Sequence, residues 1–124
     1  MPSRGRILIV DDSKTVRGVI RTFLTNAGFT VCGEADSGLT AIEQAKGLKP
    51  DLILLDLSMP LMNGAEAASV LKGIMPTVPL VLFTMYSESV GKSLAFAVGV
   101  DAVLSKPDGM GKLVECVRSL LPVS

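Results

Sequence analysis

The sequence predicts an α/β protein: a doubly wound, five-stranded parallel sheet flanked by five helices. Three observations carry this. Short apolar runs alternate with segments of helical period from one end of the chain to the other. Several of the runs are almost wholly aliphatic, as strands covered on both faces require. The connections are short and no low-complexity stretch, charge block or linker interrupts them, so residues 1–124 are expected to form a single domain.

The strand candidates are Ile7–Val10, Thr30–Ala35, Leu52–Leu55, Leu80–Phe83 and Ala102–Leu104. Between the first two, Val16, Val19, Ile20, Phe23, Leu24 and Ala27 recur at helical spacing and predict an apolar stripe facing the core. Ser13 suits the N-cap of that helix, because its hydroxyl can accept from a first-turn amide, and Gly28 suits its C-terminal stop. Residues 39–46, 65–75 and 88–98 carry less regular helical patterns, diluted by Ala and Gly. The last segment repeats the clear stripe through Met110, Leu113, Val114, Val117, Leu120 and Leu121. Alternating βα units with short connections imply right-handed crossovers, helices on both faces, and ligands bound beyond the carboxyl ends of the strands.

Composition narrows the chemistry. Twelve basic residues balance twelve acidic ones, so the global charge favours neither nucleic acid nor an anionic membrane surface. No uncharged apolar run of about 18 residues is present, and MPSRGRILIV lacks the h-region and cleavage site of a signal peptide, so a cytoplasmic protein is expected. The two cysteines, Cys32 and Cys116, fall in different elements without CxxC or ligand spacing, which predicts buried reduced thiols, not a disulfide or a zinc site. Histidine is absent, which removes the commonest general base and every Ser-His or Cys-His nucleophile pair. Carboxylates, lysine and hydroxyls must carry whatever chemistry exists.

Those groups converge on one edge. The first strand ends in Asp11 and Asp12, the third in Asp56 and the fourth in Thr84, and Lys106 follows the fifth. Taken singly each is ordinary: an acidic pair before a helix is often a cap or dipole partner. Their joint position at the ends of four strands is the signal. Two carboxylates about 4 Å apart repel by roughly 4 kcal/mol at an effective dielectric of about 20, so three of them call for a hard cation with oxygen ligands, and magnesium meets that description. Lys106 adds a point charge and Thr84 a hydrogen-bond donor for a phosphoryl group, a cradle in which a carboxylate can act as nucleophile.

These residues resemble the receiver domains of two-component response regulators, over Arg6 to Leu121. ILIVDDS, DLILLDLSMPLMNG, Thr84 and SKP stand in the family's order at closely similar spacings. The resemblance implies a flavodoxin-like strand order, 2-1-3-4-5. It implies that Asp56 is the phosphoacceptor for a phosphohistidine on a sensor histidine kinase or histidine phosphotransfer protein. Asp12 and Asp56 would ligate magnesium, or manganese in its place, with Asp11 acting directly or through water and the backbone carbonyl of Ser58 completing the protein ligands. Thr84 and Lys106 would contact the phosphoryl group, and the Lys106–Pro107 bond is usually cis in the family. Gly64 looks like the family's turn glycine opening the third helix. A module of this kind is a signalling acceptor and not an enzyme, and its modified state switches a surface toward a protein partner.

The chain also departs from the family. Val103 stands where members often carry the Tyr or Phe of an aromatic switch, and Met85 occupies a position that is commonly small. Tyr86 and Ser58, each two residues beyond a site residue, hold positions that influence the access of water to the acyl phosphate, and the Tyr86 ring is expected to shield it. With Met85 and Val103 in view, a degenerate receiver that binds partners without phosphorylation is the alternative reading. VCGEADSGLTAIEQA followed by KPDLILLDLSMPLMNG looks most like receivers joined to a helix-turn-helix domain, so the chain reads either as a stand-alone receiver or as the receiver of a longer regulator. Nothing in it binds DNA by itself. A haloacid-dehalogenase-like phosphatase is disfavoured because Ser13 follows Asp11-Asp12 where a DxDxT signature is needed. A flavin binder is disfavoured because DDSKT places carboxylates where a phosphate requires bare amides.

Overall fold

The computed structural model describes residues 5–56, 64–84, 101–105 and 110–121. Five strands, β1 (Arg6–Val10), β2 (Thr30–Ala35), β3 (Leu52–Leu55), β4 (Leu80–Thr84) and β5 (Ala102–Ser105), form one sheet in the order β2-β1-β3-β4-β5. Every pair is parallel. Helices α1 (Lys14–Asn26), α2 (Gly38–Leu48), α3 (Gly64–Ile74) and α4 (Met110–Leu120) complete the described elements. All nine match expected segments to within a few residues, while the helix expected over 88–98 lies outside the described residues. No helix among the described residues is long and apolar enough to cross a membrane.

Period-2 alternation along the strands divides the core into two layers. Leu8 and Val10 of β1 join Ile53 and Leu55 of β3 under the alanines of α2 and α3, Ala41, Ala45, Ala67 and Ala68. Ile7 and Ile9 point to the other face, where Leu52, Leu54, Val81 and Phe83 meet Ile20 and Leu24 of α1 and Leu113 and Val117 of α4. The small side chains of α2 and α3 explain their weak sequence pattern, because a helix packed through alanine still buries its face. Gly33 serves the same close approach: a Cβ there would lie 2.6 Å from Leu48 Cδ1 and 2.9 Å from Gln44 Oε1, both on α2. Beside it the β1–β2 register slips by one residue, with Ile7 facing Val31 but Leu8 facing Gly33, so Cys32 is the extra residue of a bulge.

The expected stripe of α1 needs correction. Ile20 and Leu24 are buried and Val16 and Ala27 pack against them, but Val19 and Phe23 are 42% and 45% exposed. The stripe is wider than the face the sheet can cover. The expectation of buried thiols is likewise corrected to half-buried ones, both free. Cys32 packs on the α2–α3 layer and Cys116 on the α1–α4 layer, so the sheet itself separates them. Burial pushes both thiols up from their ordinary pKa; for Cys32 the neighbouring Arg6 opposes that rise.

The caps follow the sequence closely. Ser13 Oγ accepts from Val16 N–H at 3.2 Å and opens α1. At its other end Gly28 has φ +97°, its N–H donates to the Thr25 carbonyl at 3.1 Å, and Phe29 N–H donates to the Leu24 carbonyl at 3.0 Å. That pair of bonds is a Schellman closure. At the amino edge of the sheet, Asp101 accepts from Leu80 N–H and pairs with Lys72 Nζ, both at 2.7 Å, while Arg6 N–H donates to Asp51 Oδ2 at 3.0 Å. These clamps hold the edge remote from the acidic residues. Since a Cβ is strained at positive φ, Gly28→Ala should lower the unfolding free energy by about 1–2 kcal/mol in urea titrations, without changing the far-UV spectrum.

Candidate metal centre

Asp11 continues β1 and Asp56 continues β3. Val10 faces Leu55 in the parallel register, so the next residue of each strand emerges beside the other. The backbone fixes both: Asp11 N–H donates to the Ala35 carbonyl at 3.0 Å and Asp56 N–H to the Val10 carbonyl at 2.8 Å. Both side chains are buried while Asp12 is exposed, yet one carboxylate oxygen from each of the three lies within 4.8 Å of the other two. The β1–β3 seam is also where the chain reverses its winding, since β2 lies to one side of β1 and all later strands to the other. Open α/β sheets bind ligands at that switch point.

At such separations two carboxylates repel by roughly 3 kcal/mol at an effective dielectric of about 20. The α1 N-terminus relieves part of this, with Ser13 N–H donating to Asp11 Oδ1 at 2.9 Å. An all-oxygen set of three anions fits a hard divalent cation better than a soft one. The cluster can therefore hold a metal ion.

A second group of charges braces it, which the sequence reading did not single out. Arg17 on α1 donates from Nη1 to the Asp11 carbonyl at 2.6 Å and from Nε to Glu34 Oε1 at 3.0 Å. Arg21, one turn on, donates from Nε to Glu34 Oε2 at 2.7 Å. Burial works against the charged form of Glu34, but the hydrogen bonds from Arg21 and Arg17 outweigh it and hold the carboxyl below its usual pKa. The available signal was Glu34 itself, a charged residue inside the strand candidate Thr30–Ala35.

Of the residues expected at the edge, Asp11, Asp12 and Asp56 come together. Thr84 ends β4 in register with Ser105, and Val103 lies in β5 opposite Leu82. Lys106 follows Ser105 directly in sequence, and with Ser58, Met85, Tyr86 and Pro107 it lies outside the described residues.

Residues 7–118 match the model of the response regulator receiver domain. The chain belongs to that family. This receiver is 32% identical to the chemotaxis protein CheY of Thermotoga maritima over 93% of its own length and 96% of that protein's. It is 40% identical to the response regulator protein VraR of Staphylococcus saprophyticus over 91% of its length but only 54% of that protein's, so it spans about half of such a regulator. The signal receiver domain of the putative response regulator NarL from Mycobacterium tuberculosis superposes with a TM-score of 0.89 at 28% identity, covering 99% of this receiver and all of that chain.

Two outcomes follow from these charges. Without divalent cations, Asp12→Asn should raise the unfolding free energy by about 1 kcal/mol by removing repulsion, and millimolar magnesium should raise the melting temperature of the wild type more than that of the variant. Glu34 has a lowered pKa in the folded state, so its contribution is present at neutral pH and is lost as pH falls through that folded value. Glu34→Gln should therefore cost about 1 kcal/mol at pH 7, discounted for partial exposure. In paired urea titrations the gap from wild type should close as pH falls below the ordinary carboxylate range.

Proposed function

We propose that this receiver accepts a phosphoryl group on Asp56 from a phosphohistidine of a sensor histidine kinase or histidine phosphotransfer protein. Residues 1–124 act as one receiver unit, a signalling acceptor with no turnover reaction of its own beyond gain and loss of that group. The observation that supports this most is the buried Asp56 carboxylate at the switch point, with oxygens of Asp11 and Asp12 within 4.8 Å. Three such anions beside an incoming phosphate are tenable only with a cation among them. Magnesium, or manganese in its place, would be held by Asp11, Asp12, Asp56 and the backbone carbonyl of Ser58, and when bound it supplies charge neutralisation and alignment of the phosphate oxygens.

The chain's residues divide the remaining work. An Asp56 carboxylate oxygen attacks phosphorus, an acyl phosphate O–P bond forms, the P–N bond to the donor imidazole breaks, and the leaving nitrogen keeps the electron pair. The backbone of Asp56 is fixed by its N–H bond to the Val10 carbonyl, which supports its role as the nucleophile. Lys106 and Thr84 follow β5 and end β4, where an ammonium and a hydroxyl can take up charge on the transferring oxygens. Met85, Tyr86, Val103 and Pro107 would tune access and output around them. The balanced charge of the whole chain supports a protein partner over nucleic acid or membrane.

Departures at Met85 and Val103 favour one competing reading, a receiver that binds its partner unphosphorylated. Intact mass after incubation with magnesium and a small acyl-phosphate donor separates the two. The phosphoacceptor reading requires one added phosphoryl group on the wild type, none on Asp56→Asn and none without magnesium. A folded wild type that stays unmodified in every condition supports the competing reading.

A further inference from the structure

Asp12 is the exposed member of the acidic cluster, and among the described residues none donates a hydrogen bond to its carboxylate. Its direction is therefore governed by its own backbone, and first by the peptide group that joins it to Asp11. The carbonyl of that peptide accepts from Arg17 Nη1 at 2.6 Å. Arg17 in turn is not a loose surface cation: its side chain is 14% exposed, and its Nε is anchored on Glu34, which Arg21 holds from the other side.

We infer that Arg17 is a positioning residue for cation binding, fixing the Asp11–Asp12 peptide plane so that Asp12 points into the cluster, with Glu34 as the anchor that orients Arg17. This rests on the reading of the three carboxylates as a cation site. A planar fork is needed, since one guanidinium must reach a carbonyl with one nitrogen and a carboxylate with another, and a lysine ammonium cannot reproduce that geometry. The opposing effect has the opposite sign. A cation beside the cluster repels a divalent ion, so if charge alone mattered, removing Arg17 would tighten metal binding. Glu34 offsets that charge, and orientation of the ligand dominates. Groups that orient ligating carboxylates typically contribute 10–100-fold to metal affinity.

The test measures manganese affinity directly, from the EPR signal of free Mn2+ at a temperature where every variant is folded, together with melting temperatures in EDTA. Arg17→Ala and Arg17→Lys should each weaken Mn2+ binding, the alanine variant by about tenfold. Glu34→Gln should weaken it less and in the same direction. Asp12→Asn should also weaken binding, and adding Arg17→Ala to it should cost no further affinity, because Arg17 acts through Asp12. Should the alanine variant not fold, Arg17→Lys carries the same comparison. Wild-type or tighter Mn2+ binding by the Arg17 variants, whatever their melting temperatures, overturns the inference while leaving the cation site intact. Undiminished binding by Asp12→Asn overturns the reading of the cluster as a cation site and this inference with it.

Discussion

Because Val10 faces Leu55 in the parallel pairing of β1 with β3, Asp11 and Asp56 cannot part without breaking the centre of the sheet. Their mutual repulsion is imposed by the backbone and offset by hydrophobic burial on both faces of the same strands. Ile7, Leu8, Ile9 and Val10 are all essentially inaccessible, as are the four residues of β3. The fold thus supplies the free energy that keeps like charges together, and the cluster is correspondingly receptive to a cation. Function-bearing strain of this kind is sustainable only at the end of elements that are over-determined elsewhere.

The two layers meet this demand differently. Large aliphatic and aromatic side chains fill the space beneath α1 and α4, whereas α2 and α3 come down on the sheet through alanines and over Gly33. A close-packed interior transmits displacement because it has few voids to absorb it. The α1 layer is coupled to the site in a further way, because α1 begins at the Ser13 amide that binds Asp11 and carries the Arg17 that binds its carbonyl. One helix therefore contacts the acidic segment at both its side chain and its main chain.

That coupling reaches β2. Glu34 lies beside Ile9 in the pairing with β1 and presents its carboxylate to two arginines on α1. A strand, a helix and the acidic segment are linked by charge-assisted hydrogen bonds, those of Arg17 partly buried and that of Arg21 open to water. The amino edge has its own clamps at Lys72–Asp101 and Arg6–Asp51, so the two ends of the sheet are braced by separate sets of residues.

Much of this was legible in the residues. Aliphatic runs needed no partner to declare themselves strands, since only a doubly covered sheet can bury them, and Ser13 and Gly28 marked the limits of α1 through local backbone chemistry. The placement of Asp11, Asp12 and Asp56 at strand ends came from the same reasoning, because a parallel βα repeat brings those ends to one edge. Tertiary structure alone decided the rest. It left Val19 and Phe23 exposed because the sheet covers only part of a helical stripe. It set Cys32 and Cys116 on opposite faces, the first at the β2 bulge and the second on α4, which docks on the other layer. And it joined Arg17 to Glu34 and to the Asp11 carbonyl, contacts across as many as 17 positions that no local period encodes. Sequence patterns report how a residue relates to its own helix or strand; which charge meets which across the fold depends on the register between elements, and that appears only when they pack.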